Sequence, residues 1–346
     1  MHFSKIITSW YSIHKRDLPW RHTQNPYHVW LSEIILQQTQ VNQGLPYYET
    51  FVKNFPTVFQ LAETSEENVL KFWQGLGYYS RARNLHHTAQ TVVDKYNGIF
   101  PVSYKELITL KGIGDYTASA IASICNDEPC AVVDGNVYRL LARFFGVDTP
   151  INSTQGIKEF KLLAQDLLPK HNIGEYNQAI MEFGSRQCKP QNPKCDICPI
   201  NTACVALKKG MVSELPVKIN KTKIRKRYFN YLVMVSDDDK TIVRQRKGKG
   251  IWQNLYEFPL IETDKSIDHK SFNEHKEIRN LINGHKVETS LFNEKDIIHK
   301  LSHQQLHTKF WIINIDKLPE NGIDTSLIYK FPVPVLIKNF LQTFSF

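Results

Sequence analysis

The sequence predicts a multidomain protein, an all-α region followed by a smaller α+β domain. Three observations carry this. From about residue 20 to 205, apolar residues recur at spacings of three and four, as the buried face of a helix requires. Residues 208–227 then hold Lys208, Lys209, Lys218, Lys221, Lys223, Arg225, Lys226 and Arg227 against one acid, Glu214, which reads as a basic tether able to meet phosphate. From residue 228 onward, β-branched and aromatic runs bounded by turn residues take over. A chain of 346 residues has room for two ordinary domains, and 42% hydrophobic with 22% charged residues excludes a disordered or fibrous chain.

Asn25-Pro26 supplies a cap and a first-turn proline, so a helix starts there and runs on through Leu31, Ile34, Ile35 and Val41. Further helices are expected over 66–73, 80–96, 104–110, 115–125, 136–145, 157–168 and 175–183. Leu215-Pro216 interrupts any helix in the tether. In the last part, 228–235 and 241–243 read as strands around an Asp237-Asp238-Asp239 turn, 273–282 as a helix, and 309–315 (KFWIINI) as a late strand. The expected boundaries are 1–207 for the helical region, 208–227 for the linker and 228–346 for the second domain.

A net charge of +9 and a pI near 9.1 favour a polyanionic partner. The start, MHFSKIITSWYSIHKRD, has no signal core, and no apolar run reaches membrane-spanning length, so a soluble cytoplasmic protein is expected. Cys188, Cys195, Cys198 and Cys204 follow C-x6-C-x2-C-x5-C on a proline-rich segment. Four thiolates so close suit tetrahedral zinc or an iron–sulfur cluster, and spacing alone leaves both open.

Residues 110–117 read LKGIGDYT between two helical segments. Gly112 and Gly114 allow a tight turn, Ile113 can anchor it, and the free amides of the following helix can hold one phosphate. Two acids stand in unusual settings. Glu33 lies in the apolar stretch VWLSEIILQQTQV, and Asp134 lies in VVDGNV between an apolar run and a helix start. Breaking a glycosidic bond calls for two acidic groups in different environments, one to protonate the leaving group and one to stabilise the positive sugar.

The cysteine spacing with Pro199, the LKGIGDYT hairpin and the two acidic stretches together resemble the endonuclease III and MutY superfamily of DNA glycosylases. VWLSEIILQQTQV and VVDGNV are similar to the active-site signatures of its MutY branch, which removes adenine mispaired with 8-oxoguanine. The resemblance spans about residues 16 to 315. It implies a helix-hairpin-helix glycosylase domain (a six-helix part over about 20–133, and a cluster part from 1–19 with 134–207). It further implies a [4Fe–4S] cluster on Cys188, Cys195, Cys198 and Cys204. Glu33 would be the general acid and Asp134 the stabiliser of the oxocarbenium-like sugar, with Tyr116 and Asn136 orienting that centre. Gln37, Gln38 and Thr39 would probe the estranged base, Tyr78 would wedge beside the lesion, and Lys111, Gly112 and Gly114 would hold phosphate. Tyr116 stands where strand-nicking relatives carry a Schiff-base lysine, so base removal without nicking is implied.

Ile251–Pro259 (IWQNLYEFP) resembles the opening of a Nudix-like domain, and Leu301-Ser302-His303 resembles that domain's Phe-Ser-His loop, so Ser302 and His303 would contact 8-oxoguanine. Glu274 and Glu277 do not make the glutamate box of a Nudix hydrolase, and nucleotide hydrolysis is not expected. The implied partner is double-stranded DNA bearing 8-oxoguanine:adenine pairs (also G·A), met by a monomer in the bacterial cytoplasm. The rival readings are an endonuclease III-like glycosylase/lyase and a non-catalytic DNA-damage binder. Two acids beside a polyanion would only hinder the latter.

Overall fold

The computed structural model describes residues 3–219 and 224–346; Lys221 and Lys223 of the expected tether lie outside the described residues. The chain divides into two compact units, Met1–Glu63 with Asn84–Asn220, and Thr64–Arg83 with Lys221–Phe346. Among the described residues no helix is long and apolar enough to cross a membrane.

The first unit is helical. It contains α1 (Phe3–His14), α2 (Pro26–Leu36), α3 (Val41–Asn54) and α4 (Val58–Glu63). Its later helices are α7 (Tyr104–Leu107), α8 (Asp115–Asn126), α9 (Gly135–Phe145), α10 (Thr154–Asp166), α11 (Ile173–Arg186) and α12 (Val205–Lys208). Between these groups, α5 (Glu66–Phe72) lies in the second unit, and α6 (Ser80–Tyr96) begins there and continues in the first. Side-chain oxygens set several starts: Asn25 caps α2 on the Tyr27 amide, and Ser153 caps α10 on that of Gly156. One apolar core joins α1, α8, α9, α10 and α11, with Trp10 edge-on to Phe183 at 4.8 Å.

The apolar spacing suggests a helix running from Pro26 to Val41, but the backbone breaks between α2 and α3. Gln38 takes a left-handed conformation, φ 53°, and is exposed. The spacing survives the break because Val41 begins a new helix. Hydrophobic periodicity cannot report a reversal of one dihedral angle.

The second unit is built on a sheet ordered β5-β1-β8-β6, with β7 also on β8. The long strands β1 (Arg225–Ser236) and β8 (Gln304–Ile315) run parallel along their whole length. Two-residue strands β2 (Lys240–Thr241) and β9 (Ile323–Asp324) pair with each other, as do β3 (Arg244–Gln245) and β4 (Tyr256–Glu257). Antiparallel neighbours β5 (Leu260–Thr263), β6 (Val287–Leu291) and β7 (Ile297–Lys300) complete the main sheet. One face packs Leu232, Trp311 and Ile313 under α13 (His269–Glu274) and α14 (Lys276–Ile282), with Trp311 stacked on Phe272 at 3.9 Å. The other face stacks Phe310 on Phe340 of α15 (Val335–Thr343) at 4.2 Å. Cover on both faces explains why β8 reads as a continuous apolar run. The helix expected over 273–282 is two, broken at His275, whose extended backbone ends α13 and starts α14.

Residues 64–83 pack with this unit through a dense polar seam. Lys71 Nζ donates to the carbonyls of Tyr329 (2.6 Å) and Phe331 (3.0 Å), and Glu67 accepts from the Tyr256 hydroxyl at 2.9 Å. Gln74 Oε1 accepts from the Val333 amide at 3.2 Å. Replacing Lys71 by Met strips the two carbonyls of their donor, which costs about 1–3 kcal/mol. A lowered urea midpoint for the second unit is expected, with faster proteolytic nicking around residue 330.

Candidate active site

α2 is apolar on nearly every face; Val29, Trp30, Leu31, Ile34 and Ile35 are all buried. Glu33 projects from this helix into a cavity of about 180 Å³. Asp134, Tyr116, Asn136, Arg21 and Met181 line it too. Burial pushes the Glu33 carboxyl up to about 7, and the Asp134 carboxylate adds to that rise. Hydrogen bonding from Tyr116 and the charge of Arg21 pull the other way. Burial and the two carboxylates together raise the Tyr116 phenol, whose hydroxyl also reaches Met181 Sδ at 3.1 Å. Tyr116 stays neutral and donates.

Asp134 caps α9. Its Oδ1 accepts from the amides of Asn136 (2.9 Å) and Val137 (2.8 Å), and its Oδ2 from Asn136 Nδ2 (2.7 Å). Burial raises this carboxyl above the usual aspartate range, while these hydrogen bonds and Arg139 draw it back. The cap motif was legible; the size of the opposing burial was not. Asn136 is itself held, because Arg139 Nη2 donates to its Oδ1 at 2.9 Å and Arg139 Nε to the Cys188 carbonyl at 2.7 Å. α11 comes so close that a Cβ on Gly184 would lie 2.6 Å from the Asn136 carbonyl oxygen.

A wider chamber of about 550 Å³ shares Asp134 and Asn136 with the inner cavity and is also lined by Gln38, Thr39 and Asn42. Gln37 instead turns inward, its Nε2 donating to Thr117 Oγ1 at 3.2 Å. In the hairpin, Gly112 has φ 81° and Ile113 is buried, as the turn demands, and Thr88 donates to the Lys111 carbonyl at 2.7 Å. Gly114 starts α8 without a side-chain cap, so the helix amides stay open to an acceptor. In the second unit, Tyr78 is exposed with φ 47°, and its hydroxyl lies 2.9 Å from Ser302 Oγ. The Arg81 guanidinium sits over its ring at 5.5 Å. His303 is exposed beside Ser302.

The [4Fe–4S] expectation is corrected. Among the described residues no group of three or more His, Cys, Asp or Glu is placed to hold a metal ion. Cys188, Cys195, Cys198 and Cys204 are free thiols that line one small cavity of about 30 Å³ with Phe144 and Phe183. Burial raises the Cys188 and Cys195 thiols and pushes Cys198 up to about 11. Regular spacing brought the four onto one loop without making them a metal site, so the iron–sulfur part of the fold expectation falls with it.

Sequence reasoning missed Arg16, Arg21, Gln178 and Glu182, all of which line the inner cavity. No motif marks them, since Arg16 and Arg21 lie just after α1 and Gln178 and Glu182 on α11, more than 150 residues apart in sequence.

Residues 31–165 match the family described as HhH-GPD superfamily base excision DNA repair protein, and residues 230–343 match a NUDIX domain. The chain is similar to adenine DNA glycosylases of Buchnera aphidicola. It is 34% identical to that of the Schizaphis graminum subspecies (94% of this chain, 92% of the relative). It is 35% identical to that of the Baizongia pistaciae subspecies (90% and 86%). Among solved structures, a thermostable thymine-DNA glycosylase superposes with a TM-score of 0.56 at 29% identity, covering 60% of this chain and 95% of that one. An endonuclease III–DNA complex, at 22% identity and TM-score 0.53, shares the fold over 60% of this chain and 94% of its own.

The raised Glu33 carboxyl makes a stability prediction with a definite sign. Between about 4.5 and 7 the folded protein keeps a proton that the unfolded chain has lost. This group's contribution is complete below that window and is lost as pH rises through it, by at most on the order of 3 kcal/mol. Glu33→Gln removes the effect. Its melting temperature should gain on wild type between about pH 5 and about pH 8; a gap independent of pH would contradict the burial of a charge.

Proposed function

The chain belongs to the MutY-type adenine DNA glycosylases of the HhH-GPD superfamily, and from that premise we propose that it hydrolyses the N-glycosidic bond of adenine paired with 8-oxoguanine, and of adenine in G·A pairs, without nicking the strand. The observation that carries this is Glu33, a carboxyl raised to about 7 and facing the ionisable Asp134 across a cavity with room for a single base.

In this reading the adenine leaves the duplex, since its glycosidic carbon is unreachable inside the stack. Glu33 gives its proton to a ring nitrogen of the base. The bond from C1′ to the base then breaks, its electrons passing to the now neutral adenine. The sugar becomes positive, and the Asp134 carboxylate, held by two α9 amides and Asn136, stabilises it. Water adds to C1′ and the Glu33 carboxylate takes its proton, restoring the acid. Adenine and an abasic site are the products. Tyr116 supplies no amine, and no lysine is among the described residues lining the cavity, which supports hydrolysis over Schiff-base chemistry.

Gln38 and Thr39, on the break after α2, would enter the space the base leaves; Gln37 supports that break from inside. Lys111, Gly112 and Gly114 would hold a backbone phosphate. The hydroxyl pair of Tyr78 and Ser302, with His303 beside it, would read the oxidised guanine. The similarity to bacterial relatives supports a site of action on chromosomal DNA in the bacterial cytoplasm.

The test is a single-turnover assay on duplexes with adenine opposite 8-oxoguanine, guanine or thymine, products read with and without alkali. Cleavage only after alkali, fastest opposite 8-oxoguanine, is expected. Glu33→Gln and Asp134→Asn should each lose at least about 100-fold in rate. The wild-type rate should fall as pH rises through about 7, because the protonated Glu33 is the active form. Tight binding with no adenine released would favour a damage binder, and strand breaks without alkali a lyase.

A further inference from the structure

Three charged side chains in the cavity wall, Arg16, Arg21 and Glu182, are left unused by the reaction above. Glu182 is buried to 1% exposure yet meets two cations. Arg16 reaches it with a two-pronged contact, Nε to Oε1 at 2.8 Å and Nη2 to Oε2 at 2.6 Å, and the Arg16 amide adds a third bond at 3.0 Å. Arg21 Nη2 joins Oε2 at 2.8 Å. Burial alone would raise this carboxyl, but the arginine hydrogen bonds hold it at about 2.

One carboxylate facing two guanidinium groups leaves a net positive charge. The two arginines differ in what they have left to give. Arg21 is occupied on both arms, since its Nη1 donates to the Arg16 carbonyl at 2.9 Å and its guanidinium lies over the Tyr11 ring at 5.3 Å. Arg16 Nη2 also touches Ser185 Oγ at 3.4 Å, whereas its Nη1 has no partner among the described residues. About a third of the Arg16 side chain is exposed. It is also the sole cation lining the outer chamber among the described residues, where Asp134, Gln38, Thr39 and Asn42 are its neighbours.

We propose that Arg16 is a phosphate-binding residue for the extruded nucleotide, and that Glu182 is the positioning residue that aims it. The inference rests on the glycosylase reading. A nucleotide whose base fills the inner cavity and whose sugar meets Asp134 must thread its phosphodiester through the outer chamber. There the Asp134 carboxylate repels it, so a fixed guanidinium is the natural counterweight. The bidentate grip of Glu182 leaves one edge of the Arg16 fork open and removes its rotamer freedom before DNA arrives.

The test uses full-length protein and a duplex carrying 2′-fluoro-2′-deoxyadenosine opposite 8-oxoguanine, whose fluorine suppresses bond cleavage. Binding is read by fluorescence anisotropy across a salt series, and again with a neutral methylphosphonate at either linkage of the target nucleotide. Arg16→Ala should bind roughly 10- to 100-fold more weakly. Its salt slope should be shallower by about 0.7–0.9, the value of one phosphate contact. One methylphosphonate should weaken wild type by a similar factor and weaken Arg16→Ala no further. Glu182→Gln should also bind more weakly, although it removes a negative charge beside a polyanion. An unchanged slope in Arg16→Ala, or a full methylphosphonate penalty in that variant at both linkages, overturns the phosphate contact; tighter binding by a folded Glu182→Gln overturns the positioning role. Adenine release from the unmodified duplex by the same wild-type preparation is the separate readout for the glycosylase reading itself.

Discussion

Three carboxylates converge on one cavity, and the cost of burying negative charge governs how the surrounding fold is arranged. Each meets that cost differently. Glu182 is neutralised and more by Arg16 and Arg21, so it stays ionised down to about 2. Asp134 is held by helix amides and Asn136, with the Arg139 charge assisting, and burial still leaves its carboxyl above the usual aspartate range. Glu33 has only Tyr116 and the distant pull of Arg21, so burial wins and the proton stays on until about pH 7. Groups of one chemical type are thereby set apart: Glu182 is held low by arginines, Glu33 is raised into an acid, and at Asp134 hydrogen bonds oppose the rise that burial imposes. The separation comes from neighbours, not from residue identity.

Holding those neighbours explains otherwise unrelated packing. α11 carries Met181, Glu182 and Gly184 within a single turn, and it can approach α9 this closely only because Gly184 lacks a Cβ. Arg139, one turn into α9, ties Asn136 to the carbonyls of Gly184 (2.5 Å) and Cys188 (2.7 Å). The loop bearing the cysteines is thus in backbone contact with the Asp134 assembly. Arg143 extends the same pattern by donating to the carbonyls of Lys189 and Pro190, at 2.7 and 3.1 Å. What the loop contributes here is a set of carbonyl acceptors.

The legible parts of the sequence were those with a local cause. Asp134 before a helix start, Gly112 in a tight turn and the apolar run of β8 each depend on residues within a few positions, and the structure has them as read. Glu33 was legible because an acid in an apolar helix breaks its own pattern. The unread parts depend on distance. Arg16 and Glu182 meet across 166 residues with no motif between them. The reversal at Gln38 changes a dihedral, which hydrophobic spacing does not record. The four cysteines show the converse error: their spacing is regular, yet spacing constrains only the loop and says nothing of where each sulfur points.

The same distinction explains why the segment around Tyr78 escaped its expected place. By sequence it lies among the helices of the first unit; by packing it belongs with the sheet of the second. Lys71, Gln74 and Glu67 make contacts there that no local pattern announces, because their partners are mainly backbone atoms near residue 330 and a tyrosine hydroxyl. Those contacts fix the base of the loop, and the left-handed turns at Gly75, Gly77 and Tyr78 then set its tip. Tyr78 meets Ser302 through a single hydroxyl pair, and one such bond in water is worth little on its own. Its geometry is therefore maintained by the seam behind it. The placement of Tyr78 thus depends on Lys71, Gln74 and Glu67, residues it does not itself bond, as much as on the hydroxyl it meets.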